Sequence, residues 1–305
     1  MGEIWLVFPN VSGFNSKNSR GGLLNRWEKA KQYSFDFVEI PANFVKKNET
    51  EFLGLGKCEF LNKEAINKLY LKEDKLPRDI KYIFHTEPAL DSKCNLKWYN
   101  EQWVNQFIKM SIDIARHMGL PPTMIEIHSG KKPNTYQYIA ESAIKLFNNF
   151  KDEFKVKPII LIENRTDHVI SNGIQMKEFW DYLIKDYPLY QKYIGFVVDF
   201  RTMYTQVSHD YFNNVNKHFI DNIELIPAES IKGCHIHNSH PKAPTIRDAI
   251  PWLSVFNKII SVNNDLILNP EVLSLRVALE TKKFCIDMIN EAKNITRLDI
   301  HEHYS

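Results

Sequence analysis

Eight short apolar runs recur along the chain, their edges marked by Pro, Gly, Asn or Asp. They are IWLVFP (4–9), FDFVEIP (35–41), YIFHTEP (82–88), MIEIHSG (124–130), PIILIEN (158–164), IGFVVDF (194–200), IKGCHIHN (231–238) and DLILNPEV (265–272). Short and rich in Ile, Val and Phe, they read as strands of a parallel sheet buried on both faces. Between them lie amphipathic stretches of helical period at 22–33, 98–119, 135–150, 176–187, 249–260 and 273–294. Gly119 closes the second of these as a C-cap glycine does. Strands and helices that alternate along all 305 residues predict an α/β protein, a single (β/α)8 TIM barrel over residues 1–305, with 295–305 as a C-terminal tail. An open doubly wound sheet is the alternative. Its first strand–helix turn is usually Gly-rich, however, and NVSGFNSKNSRGG contains no GxGxxG.

Composition narrows the class without naming a partner. With 44% hydrophobic and 25% charged residues the chain is globular rather than disordered. A net charge of +2 neither demands nor excludes nucleic acid, because a local basic patch can hide in a neutral total. The cysteines Cys58, Cys94, Cys234 and Cys285 form no CxxC pair, which argues against a zinc ribbon and suits a reducing compartment. MGEIWLVFPNVSGF has too short an apolar run, with Glu3 inside it, to read as a signal peptide. No stretch approaches the ~18 apolar residues of a membrane span. A cytoplasmic protein without membrane contact is expected, and the Asn-x-Ser/Thr triplets are read as chance matches.

A barrel of this kind keeps its reactive groups at the C-terminal ends of its strands. Those ends carry Glu39, His85 with Glu87, Glu126 with His128, Glu163, Asp199, His235 with His237, and Glu271. Glu163, Asp199, His235 and Glu271 follow one another at equal intervals of 36 residues. One β/α unit takes about 35–40 residues, so each step is expected to advance one strand and return to the same height. Carboxylates gathered in one mouth repel each other unless a cation neutralises them. Two Glu, one Asp and one His make an oxygen-rich set with one nitrogen, suited to Zn, Mn, Fe, Co or Mg. His85 and His128 are candidates to hold a second ion, so one or two divalent metal ions are the expected cofactors. His237 shares the strand parity of His235 and lies nearer the rim, while Glu39 and Glu126 are candidates to face the site. His301 and His303 read as solvated residues of the tail.

This constellation resembles the xylose-isomerase-like TIM-barrel superfamily, which contains sugar isomerases and epimerases, related dehydratases and endonuclease IV. FDFVEI (35–40) looks like its second strand, LIEN (161–164) its fifth, VVDF (197–200) its sixth and HIHNS (235–239) its seventh. The resemblance implies that Glu163, Asp199, His235 and Glu271 hold the metal. SRGGLLNRWEKA (19–30) is similar to the helix start of the endonuclease IV branch. FHTEPALD (84–91) and EIHSGKK (126–132) set His85 and His128 where that branch has two His ligands of an exposed zinc, which Glu163 would bridge to the other ion. Two features depart from the pattern. Thr202 stands where the nuclease branch, and usually the epimerases, have a His after the strand-6 Asp. The nuclease's Asp-Arg-His after strand 7 is reduced here to IRDAIP (246–251), so its third metal would lose most of its ligands.

Two chemistries fit these residues. The preferred one is a metal-dependent isomerase, epimerase or lyase acting on a small sugar-like polyhydroxy carbonyl compound. Glu163 and Glu271 would then serve as acid and base on opposite faces of an α-hydroxy carbonyl. Arg165 and Arg201, two residues beyond Glu163 and Asp199, would bind the substrate together with His237, Lys131, Arg247 and Glu39. The other is a phosphodiesterase on DNA abasic sites, with a two-metal core of His85, His128, Glu163, Asp199, His235 and Glu271. Its basic loops would be KNSR (17–20), KK (46–47), KK (131–132) and HPKAP (240–244). A barrel that binds metal without catalysis is a third reading.

Overall fold

A computed structural model describes residues 3–11, 19–42, 59–70, 79–86, 96–210, 213–261 and 265–302. Cys58, Glu87, Cys94, the lysines at 46–47, Lys17 and Asn18 of KNSR, residues 87–91 of FHTEPALD, and 303–305 with His303 lie outside the described residues. Eight parallel strands close into a barrel in chain order: β1 (Ile4–Phe8), β2 (Phe37–Pro41), β3 (Lys81–His85), β4 (Met124–His128), β5 (Ile159–Glu163), β6 (Ile194–Asp199), β7 (Ile231–His235) and β8 (Leu266–Asn269). Strand β8 pairs back onto β1, with Trp5 opposite Ile267. That closure makes the chain a (β/α)8 barrel and excludes the open sheet.

The helices are α1 (Ser19–Gln32), α2 (Lys63–Leu69), α3 (Glu101–Met118), α4 (Tyr136–Phe154), α5 (Gly173–Asp186), α6 (Phe200–Asp210), α7 (Val215–Leu225), α8 (Trp252–Ser261) and α9 (Leu275–Glu302). Side-chain caps explain several starts: Asn100, Thr135 and Asn172 each accept a hydrogen bond from the backbone N–H three residues on. Gly119 ends α3 in the left-handed region at φ 65°, as its sequence position predicts. Residues 295–302 continue α9 rather than forming a tail, since no Gly or Pro follows Pro270 to stop the helix. No helix among the described residues is long and apolar enough to cross a membrane.

The strands alternate between two environments, with one register shift where β6 pairs with β7. Outward residues such as Val38, Phe84, Ile127, Ile162 and Val198 are buried under the helices. Inward residues Val7, Phe37, Ile83, Met124, Leu161, Val197 and Ile267 pack on one another and form an apolar floor inside the barrel. Glycine matters where α5 meets α7: a Cβ on Gly173 would lie 1.9 Å from the Asn222 carbonyl oxygen. Gly173→Ala is therefore expected to destabilise the protein by about 1–3 kcal/mol, because backbone rather than a side-chain tip would have to move. An unchanged denaturant midpoint would show that the two helices part freely.

Candidate metal centre

Above the apolar floor the barrel turns polar within one step. Further along strands β2 to β8, facing the same way as the floor, come Glu39, His85, Glu126, Glu163, Asp199, His235 and Asn269. Two further on come His128, Arg165, Arg201, His237 and Glu271. Strand pairing sets Asp199 level with His235, and His235 level with Asn269. By the same pairing Glu163 is level with Val197, two residues before Asp199, and Glu271 lies two residues beyond Asn269. The Glu271 carboxylate comes within 4.8 Å of ligand-type atoms of Asp199 and His235.

His235 is the hub of the cluster. Its Nδ1 lies 3.6 Å from Glu163 Oε1 and 3.5 Å from Glu271 Oε2, and its Nε2 lies 3.1 Å from Glu126 Oε1. His85 Nε2 is 3.2 Å from Glu126 and 3.5 Å from Glu163, and His128 Nε2 is 3.3 Å from Glu163. Ligand-type atoms of His85, His128 and Glu163 lie within 4.8 Å of one another. So do those of Glu126, Glu163 and His235, and those of Asp199, His235 and Glu271. Glu163 therefore stands between the imidazoles of His85 and His128 and the His235 group.

The support beneath fits a metal better than a set of ordinary hydrogen bonds. Glu39 takes His85 Nδ1 at 2.8 Å on one oxygen, and accepts from Asn10 N at 3.0 Å and Asn269 Nδ2 at 2.9 Å on the other. This carboxylate orients the His85 ring and leaves Nε2 facing the mouth, as outer carboxylates do behind metal-bound imidazoles. Arg26, wholly buried, donates to the Glu39 carbonyl at 2.6 Å and to Asn10 Oδ1 at 2.7 Å. Meanwhile Glu126 Oε1, Glu163 Oε2, His235 Nδ1 and both ring nitrogens of His128 are buried without a hydrogen-bond partner. Acceptor oxygens and imidazole nitrogens this close, buried and unbonded, form a donor set that a divalent cation would satisfy.

Burial and mutual charge set the titration of these groups. Burial alone would raise the Glu39 carboxyl, but the His85 charge and the bonds from His85 and Asn269 hold it at about 2. Burial pushes Glu126 up to about 7, against the opposing pull of His235 and His85. His85 and His235 are held well above the ordinary imidazole range, their burial outweighed by the surrounding carboxylates. Burial holds His128 well below it, which keeps that ring neutral with a lone pair to offer.

The structure does not bring every predicted residue into the centre. Glu39, expected to meet substrate, is buried beneath His85 and committed to it. Lys131 is exposed and paired with Asp167 at 3.4 Å, and Arg165 and Arg247 are exposed. Arg201 is half-buried at the start of α6. Asp248, in the IRDAIP segment, accepts from Thr245 N at 2.9 Å and from Trp252 Nε1 at 3.2 Å, so it closes a turn over α8. Thr202 likewise serves Asp199, donating its N–H to Oδ1 at 2.8 Å and its hydroxyl to Oδ2 at 2.6 Å.

Three residues that the sequence reading left aside prove structural to the centre. Asn269 carries a usable signal, since it shares parity with Glu271 one layer below. Asn164 clasps the β6 end, donating to the Asp199 carbonyl at 3.0 Å and accepting from its N–H at 2.8 Å. His168 accepts from Gly130 N at 3.1 Å and stands edge-on to His128 at 5.9 Å. It lines a cavity of about 610 Å³ together with Lys131, Asn134, Tyr136, Asp167 and Glu178.

No family model and no curated protein matches the chain. Solved structures do match it along nearly its whole length. An L-ribulose 3-epimerase is 14% identical and covers 98% of this chain and 98% of its own, with a TM-score of 0.58. A xylose isomerase-like TIM barrel protein from Mycobacterium smegmatis, in complex with magnesium, is 12% identical and covers 96% of this chain and 98% of its own, with a TM-score of 0.56. An AP endonuclease, family 2, from Brucella melitensis is 11% identical and covers 92% of this chain and 96% of its own, with a TM-score of 0.55. At these identities the likeness is one of fold. That fold is the (β/α)8 barrel that the alternating strands and helices predict.

Proposed function

We propose that the protein is a divalent-metal-dependent isomerase or epimerase acting on a small polyhydroxy carbonyl compound. One observation carries this reading: Glu163, at the end of β5, and Glu271, just beyond β8, both approach the same nitrogen, His235 Nδ1, at 3.6 and 3.5 Å. Glu163, Asp199, His235 and Glu271 would hold one cation, and His85 and His128 a second one shared through Glu163. The structural neighbours named for an epimerase activity and for bound magnesium support the same class.

A divalent cation bound there supplies a Lewis acid for the substrate's carbonyl and neighbouring hydroxyl oxygens. The side chains do the rest. Glu163 is buried and Glu271 partly exposed, so a sugar carbon entering from the mouth meets one carboxylate below and the other beside the rim. One takes the proton from the carbon next to the carbonyl, and the other returns a proton from the opposite face, the roles exchanging in the reverse reaction. Arg165, two residues beyond Glu163, and Arg201, at the start of α6, would bind an anionic or hydroxylated end of the substrate.

The phosphodiesterase reading draws on the His85, His128 and Glu163 group, which suits a two-metal core. Against it, Asp248 is already occupied by Thr245 and Trp252. The test is solvent exchange: metal-loaded protein is incubated in D2O with a panel of ketoses and ketose phosphates, alongside abasic-site duplex. Deuterium entering at the carbon next to the carbonyl is the expected result. Cleavage of the duplex with no exchange in any sugar would overturn the assignment.

A further inference from the structure

We propose that His237, His240 and Glu271 form a separate site for a transition-metal cation at the rim of the barrel mouth. It goes beyond the core centre, sharing only Glu271 with it. Ligand-type atoms of the three residues lie within 4.8 Å of one another. His237 is 97% buried by its 3% exposure, and both of its ring nitrogens lack a hydrogen-bond partner. Its Nε2 is aimed at Glu271 Oε2, 3.3 Å away.

His240 is held by the Glu271 backbone. Its Nδ1 lies 3.0 Å from the Glu271 backbone oxygen. A carbonyl can only accept, so Nδ1 carries the proton and Nε2 keeps its lone pair, the arrangement found behind metal-bound imidazoles. The His237 and His240 rings stack at 4.6 Å and 16°, so their edges run side by side. The Leu273 N–H donates to the His240 carbonyl at 3.0 Å, which ties this loop to the segment bearing Glu271. Asp199 Oδ1 also lies 3.4 Å from His237, but both Asp199 oxygens already accept from Thr202.

Two imidazoles and one carboxylate favour zinc, cobalt or iron(II) over magnesium or calcium. Three protein ligands leave a coordination position open to the mouth, where a hydroxyl or anionic oxygen of a bound substrate would fit. Glu271 Oε2 stands between His237 and His235, 3.3 and 3.5 Å from their nearest nitrogens, so this carboxylate would link the rim ion to the core.

Metal-stripped protein titrated with Zn²⁺ by calorimetry, and with Co²⁺ by visible absorption, tests the site. His240→Asn keeps a donor near the Glu271 carbonyl and removes the Nε2 ligand, so the loop is preserved. H240N is expected to bind one equivalent fewer than the wild type, and Mg²⁺ to leave that equivalent unfilled. E163Q is expected to keep the rim equivalent while losing core binding. Wild-type stoichiometry in H240N overturns the rim site. A loss in H240N with none in E163Q upholds it and removes the core reading instead.

Discussion

Glu163→Gln and Glu271→Gln are each expected to lower turnover by about 10²- to 10⁴-fold while the barrel stays folded. Glutamine matches the shape of the carboxylate but can neither take up a proton nor balance a cation. The two losses should differ in kind. Glu163 faces three imidazoles, His85 at 3.5 Å, His128 at 3.3 Å and His235 at 3.6 Å, so E163Q should also weaken metal binding to the core. Glu271 stands a layer higher and is partly exposed, so E271Q should bear more on the proton transfer itself. Steady-state rates at saturating metal, with circular dichroism to confirm folding, separate the two. Full activity in either variant removes that residue from the mechanism.

The second large effect is on stability. Glu39, Glu126, Glu163 and Asp199 are all buried in a narrow mouth. Ligation that favours the folded state contributes about 4 kcal/mol when free metal is a thousandfold above its dissociation constant. Adding Zn²⁺ to stripped protein is therefore expected to raise the thermal midpoint by about 5–10 °C. The rise should shrink in E163Q. It should also fade as pH falls, because protons compete for the carboxylates and imidazoles that bind the ion. A midpoint indifferent to zinc at neutral pH would mean that the cluster is balanced by protons alone.

Strands were legible because a doubly buried strand writes both of its faces in apolar residues and ends abruptly in polar ones. Each run that closed on Glu, Asp or His placed that residue above the apolar floor. The helices α2 and α6 were less legible, for different reasons. Only Ala65 and Ile66 of α2 are buried, too few to show a period. The start of α6 is hidden because Asp199 ends β6 and caps α6 at once, through Thr202. Equal spacing pointed to Glu271 but could not show its height, which depends on strand register; the layer residue on β8 is Asn269. Glu39 looked like a substrate residue because parity aims it inward. Only the packing reveals that Asn10, Asn269 and His85 have taken its oxygens. Arg26 left no signal, being one of four cations on α1.

The proposed function needs a divalent cation among these carboxylates and imidazoles. It is checked by elemental mass spectrometry of the purified chain, reconstituted with zinc, manganese or magnesium and then desalted. At least one tightly held divalent ion per wild-type chain is expected, and fewer in E163Q. A wild-type chain that retains none under any of these conditions would rule the metal centre out.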